Sequence, residues 1–165
     1  MAVITVGSTA ENRDIGLAAA TQINKAAAAD GDGTLSEAQI YVATELSGLE
    51  IATFIDEGSN NLSTRANETI AGSHAAGYHE IALDNMAVET GDFIGEYHSG
   101  GTLDADNTGG SGMWYKTGDN IPADSVGFSS FSGWVISLKG IGATVAAGVG
   151  IPIAMYHYKQ MQENN

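Results

Sequence analysis

Apolar and polar positions alternate along most of this chain in short runs with a period of two. Ala2–Val6 (AVITV) is apolar, rich in β-branched residues and stops at Gly7, which predicts a strand. Residues 9–20 (TAENRDIGLAAA) have the alanines of a helix. They are few and interrupted by a glycine, so a short helix and an irregular turn both stay open. Thr21–Lys25 predicts a second strand, followed by AAAADGDGT, where Asp-Gly pairs supply positive φ for a turn.

Leu35–Thr44 places Ala38, Ile40 and Val42 on one face, and Leu49–Ile55 places Leu49, Ile51, Thr53 and Ile55 on one side. Glu45–Gly48 between them predicts a hairpin, and Asp56–Asn61 (DEGSNN) a second turn. Leu62–Ile70 is polar with scattered apolar positions, as in an exposed strand, and Tyr78–Leu83 follows. Phe93–His98 sets Phe93, Gly95 and Tyr97 against Ile94, Glu96 and His98. Met113–Lys116 and Trp134–Leu138 close the series. About nine or ten short strands at a spacing of roughly 10–15 residues predict an all-β fold, a jelly-roll-like antiparallel β-sandwich. No stretch before residue 140 keeps a helical period, and no repeat of solenoid length is present.

The pattern changes at residue 140. Gly140–Tyr158 contains no formally charged side chain, and the segment from Gly140 to Asn165 holds one cation, Lys159, and one anion, Glu163. The predicted organisation is therefore a sandwich over residues 1–140 and an apolar C-terminal arm or anchor over residues 141–165. Three readings of that segment stay open. A membrane helix needs about 20 apolar residues, and Gly142, Ala146 and Gly150 have helix-packing spacing, but the run is broken by Pro152 and ends in a polar YHY. A final strand could complete the body's own sheet through Thr144–Ala147 and Ile151–Met155. An arm could pack on a neighbouring subunit, as an added strand or as a short helix starting at Pro152. The arm is the favoured reading, with Ile141, Val145, Val149, Ile151, Ile153, Met155 and Tyr156 as assembly contacts.

Charge sharpens this contrast. The chain has 20 Asp and Glu against 6 Lys and Arg, a formal net charge of −14 that sits on residues 1–139. Residues 66–115 contain no Lys or Arg, which argues against nucleic acid and against an anionic membrane surface. Without cysteine there are no disulfides. The opening residues lack the basic and apolar regions of a signal peptide, so synthesis in the cytoplasm is expected.

Candidate chemistry is sparse. Aligned to a calcium loop, residues 30–34 (DGDGT) leave Ala28 and Gln39 at the two strongest ligand positions, so a plain turn is expected. Asp104, Asp106 and Asn107, with Asp119 and Asp124 beyond, form acidic segments read as solvated turns, with Ca²⁺ as an alternative. His74, His79, His98 and His157 have no metal-ligand spacing, and no nucleophile or phosphate motif is present. No metal site or cofactor is implied, and the chain is expected not to be an enzyme. Trp114, Tyr115, Phe128, Phe131 and Trp134 are expected in the core. The alternative makes Trp114, Tyr115, Asp104, Asp106 and Asn107 a carbohydrate- or ligand-binding platform.

Residues 88–122 (VETGDFIGEYHSGGTLDADNTGGSGMWYKTGDNIP) and 131–142 (FSGWVISLKGIG) resemble β-sandwich proteins common in bacteriophage and environmental viral sequences. Residues 4–13 and 33–55 share the likeness. The resemblance implies a non-enzymatic virion protein: a capsid decoration, head-fibre or tail-associated subunit. Such a protein would be a homo-oligomer that also contacts other virion proteins.

Overall fold

The computed structural model describes residues 1–145. Among them the chain forms thirteen strands and no helix. In order these are β1 (Val3–Gly7), β2 (Ile15–Ala18), β3 (Ala20–Asn24), β4 (Gly33–Ser47), β5 (Glu50–Gly58), β6 (Asn61–Thr69) and β7 (Ser73–His74). They continue as β8 (Gly77–Val88), β9 (Phe93–Tyr97), β10 (Gly100–Thr117), β11 (Val126–Gly127), β12 (Ser129–Ile136) and β13 (Leu138–Thr144). Every strand ladder is antiparallel, so the fold is the all-β, sandwich-like class that the alternation predicts.

One hydrogen-bonded path runs β1-β13-β4-β10-β3-β9-β5-β6-β11, with β2 and β12 on β10 and β7 and β8 on β4. The two longest strands make this path fold over. β4 pairs with β13 through Gly33–Ile40, then with β10 through Val42–Ser47. β10 in turn pairs with β4 at its start and with β3 at its end. The layer β1-β13-β4-β8 thereby faces the layer β9-β5-β6, and Thr53 Oγ1 on β5 donates to the Ala87 carbonyl on β8 at 2.8 Å. Between the layers lies the main core: Ile4, Val6, Leu35, Ile40, Leu49, Ile51, Ile94 and Leu138 are all fully buried. At Gly140 a Cβ would come within 2.9 Å of Leu35, Val6 and Ile94, so glycine lets β13 approach β9 closely.

The second layer is covered on its other face as well. Residues 118–128 cross it as a strap and bury Ile23, Ala52, Phe54, Leu62, Trp114, Ile121, Ala123 and Phe128 in a second cluster. The Thr64 and Ala123 main chains are bonded at 2.9 Å, and Phe128 N donates to the Asn60 carbonyl at 2.9 Å. Ser59 and Asn60, both at positive φ (54° and 63°), make the tight β5–β6 turn expected over Asp56–Asn61.

Three expectations need correction. β4 and β5 do not form a hairpin: β4 ends against β7 and β10, and β5 lies between β9 and β6. Ile51 and Thr53 point to one face of β5 and Ala52 and Phe54 to the other, and all four are buried, so β5 needs cover on both faces. Gly48 (φ 60°) carries the chain from one layer to the other. Residues 104–112 are not a loop but the middle of β10, where register shifts and positive φ at Gly109 and Gly112 bend the strand instead of ending it. Residues 9–20 hold neither a helix nor a wholly irregular turn, because β2 pairs there with β10.

The boundary expected at residue 140 falls inside β13, which continues to Thr144 between β1 and β4. The strand expected over Thr144–Ala147 shares only Thr144 with β13, and its remainder past Val145, with Ile151–Met155, lies outside the described residues. The expected contacts Val149, Ile151, Ile153, Met155 and Tyr156 lie outside the described residues.

Candidate functional site

Arg13 is the centre of a highly connected, part-buried polar group; its side chain is 9% exposed. It lies in the segment between β1 and β2. Its Nε donates to Ser137 Oγ at 2.8 Å and its Nη1 to Asp106 at 2.9 Å, while Nη2 reaches the Thr9 carbonyl at 3.1 Å and Glu11 at 2.9 Å. The Arg13 main-chain N–H donates to Asp104 Oδ2 at 3.2 Å, and the Asp14 N–H donates to Asp106 Oδ1 at 3.0 Å. Asp104 and Asp106 are two apart on β10, so period two puts both carboxylates on the side where this segment crosses. Hydrogen bonds from Asp14 N–H and Arg13 hold the Asp106 carboxyl below the usual carboxylate range. Burial pushes the Asp104 carboxyl up, against the Arg13 N–H bond. Beside them opens a cleft of about 420 Å³ lined by residues 12–16, 41–43, 76, 77 and 104.

The other residues of the expected platform lie elsewhere. Asn107 is exposed. Trp114 is only 3% exposed: its Nε1–H donates to Asn60 Oδ1 at 3.0 Å, the Phe93 ring packs edge-on, and Lys25 Nζ lies 4.2 Å from its ring centroid. Its face is closed to a sugar ring. Tyr115 points to the opposite side of β10, where it forms an edge-to-face row with Phe131 and Trp134. Of the five aromatics expected in the core, Trp114 and Phe128 are buried, Tyr115 and Trp134 are half-buried, and Phe131 is 40% exposed.

Two polar sites were not expected from sequence. Glu96 and His98, two apart on the inward face of β9 and its exit, are both fully buried and bonded through Oε2 and Nδ1 at 2.9 Å. Gln22 sits opposite Glu96 across the β3–β9 ladder, also fully buried. Gln22 Oε1, Glu96 Oε1 and His98 Nε2 have no hydrogen-bond partner. Burial raises the Glu96 carboxyl, against the hydrogen bond and charge of His98. Burial depresses the His98 imidazolium, but the hydrogen bond and charge of Glu96 outweigh it and its pKa is raised. His74 and His79, five positions apart in sequence, pack edge to face at 5.4 Å. Among the described residues no three His, Asp or Glu side chains converge as a metal site.

The expected assembly contacts begin at the end of β13. Ile141 is half-buried within the sheet, paired with Thr5 and Glu37. Val145 is 64% exposed, just beyond Thr144, whose N–H donates to the Ala2 carbonyl at 3.0 Å. A cavity of about 260 Å³ adjoins Val145, lined also by Asp32, Arg65, Ala87, Val88 and Glu89. Among the described residues no helix is long and apolar enough to cross a membrane.

Comparison of the chain with protein-family models, with curated proteins and with solved structures gives no match.

Proposed function

We propose that this protein is a non-enzymatic structural subunit that assembles with copies of itself through the segment that follows β13. The observation that carries this reading is the way the chain leaves the body. β13 is paired on both sides up to Thr144, Val145 is exposed, and residues 146–165 then follow with Lys159 and Glu163 as their charged side chains. An apolar segment following so acidic a body is best accommodated against another protein surface, because burial returns roughly 25 cal/mol for each Å² removed from water. The resemblance of residues 88–122 and 131–142 to phage β-sandwich proteins supports a virion setting: a decoration, fibre or tail-associated subunit made in the host cytoplasm.

The test is light scattering on a sizing column of the full chain beside residues 1–145, a truncation that keeps all of β13. An oligomeric full chain and a folded, monomeric truncation are expected. If both are monomers, or if the truncation oligomerises equally, the assembly reading is wrong.

A further inference from the structure

The cleft beside Asp104 lies where β4 changes partners. Val42–Ser47 pairs with β10 and Gly33–Ile40 with β13, while Tyr41 N–H between them donates to the Ser137 carbonyl at 3.2 Å. Ser137 N–H donates in turn to the Asp104 carbonyl at 2.9 Å, which fixes Asp104 at the fork. Asn12, Asp14, Tyr41, Ala43, Gly77 and Asp104 surround about 420 Å³, within the size range of small-ligand clefts.

We propose that this cleft binds a ligand through an ammonium or guanidinium group. Asp104 is 2% exposed, and while its Oδ2 accepts from Arg13 N–H, its Oδ1 has no hydrogen bond among the described residues. A carboxylate buried to that degree and left with a spare oxygen beside a cleft favours a charged donor. Arg13 also lines the cleft, but its guanidinium is turned to acceptors of the protein through Nε, Nη1 and Nη2 and its charge is matched by Glu11 and Asp106. Asp14 uses its main-chain N–H on Asp106 and keeps its own carboxylate free of hydrogen bonds among the described residues. Glu11, Asp14, Asp104 and Asp106 against Arg13 leave the surroundings negative, and Tyr41 is among the residues that line the cleft. Among the described residues no three carboxylate or imidazole groups converge here, and the proposal is for an organic cation. A bound cation would also oppose the burial that raises the Asp104 carboxyl, so affinity rises with pH through the titration of Asp104.

The experiment follows backbone amide shifts of the full-length protein by NMR at neutral pH during titration with methylguanidinium, n-butylammonium, an Ala-Arg-Ala peptide and glucose. Saturable shifts confined to residues 12–16, 41–43, 76, 77 and 104 are expected with the cations and not with glucose. Asp104→Asn is expected to weaken binding about tenfold and to remove its pH dependence. Should that variant fail to fold, Asp14→Asn at the exposed rim tests the same charge, with about threefold weaker binding expected. Tighter binding of the peptide than of methylguanidinium identifies a protein side chain as the source of the cation, and equal binding identifies a free small cation. Absence of saturable shifts with every cation, equal shifts with glucose, or unchanged binding in the folded variants would overturn the proposal.

Discussion

The polar groups around Arg13 and those around Glu96 are built from the same kinds of side chain and solve opposite problems. In the part-buried group at the rim of the body each nitrogen of the Arg13 guanidinium finds an acceptor, and both carboxylates on β10 receive main-chain N–H groups. In the core, the one bond between Glu96 and His98 leaves an unpartnered atom on each of them and another on the adjacent Gln22. The rim group draws acceptors from Ser137 and Asp106, far away in sequence, as well as from Thr9 and Glu11 nearby, and acts as a clamp. The interior pair is desolvated on all sides, so its attraction must offset the loss of water around two charges or around their neutral forms. Polar residues in a fold therefore cannot be ranked by how many bonds they make without asking how much water each has lost.

Breaking one partner at a time should expose the difference most clearly. His98→Ala is expected to destabilise by about 3–5 kcal/mol in urea denaturation, since it strands a buried carboxyl. The double replacement Glu96→Leu and His98→Leu should recover most of that loss, because an apolar pair has nothing to leave unsatisfied. A double variant as unstable as the single one would show that the pair is a net stabiliser, and the contrast would fail. A smaller effect is expected at the rim group: Arg13→Ala should cost about 2 kcal/mol through its charge-assisted bonds, read in the same denaturation experiment. Equal losses at the two sites would erase the distinction.

The finest discrimination comes from pH, because the two groups titrate in opposite senses. The Asp106 pKa is lowered in the folded protein, so its contribution is present above the ordinary carboxylate range and disappears as pH falls through its folded value. The Glu96 and His98 pKa values are both raised, so the folded protein holds protons more tightly than the unfolded chain. The contribution of His98 is complete below the ordinary imidazole value of about 6.5 and is lost as pH rises through its folded value. Urea midpoints of wild type and His98→Gln from pH 5 to pH 9 should converge towards the alkaline end. A constant gap between the two curves would mean that the pair does not exchange a proton in this window.

These groups were not equally legible in the sequence. The alternation of Phe93–His98 places Ile94, Glu96 and His98 on one face, and the structure keeps that face together. What alternation cannot say is that the polar half of the face is buried, because that depends on a second layer supplied by distant strands. Arg13 is 91 positions from Asp104 and 93 from Asp106, with no local signal linking them. Its scarcity was the usable clue: a chain with 6 basic and 20 acidic residues has strong reason to pair each cation it has. β6 and the β5–β6 turn were readable because their signals are local. β10 was not, because glycines that usually punctuate a chain here bend one continuous strand. Trp114 is buried as expected of a core aromatic, but its cover was not legible locally, because it comes from a strap that begins only a few residues later.

The pairing of β1 with β13 has a consequence in time. Val3 lies beside Ala143, so the sheet cannot close until nearly the whole described chain has been synthesised. Loop closure over such a separation makes this a late and slow event compared with the β5–β6 hairpin, whose partners are near in sequence. The residues that follow β13 therefore emerge only after every strand of the described body has been made. On a ribosome, this ordering postpones any encounter through that segment until the step at which the subunit itself becomes complete.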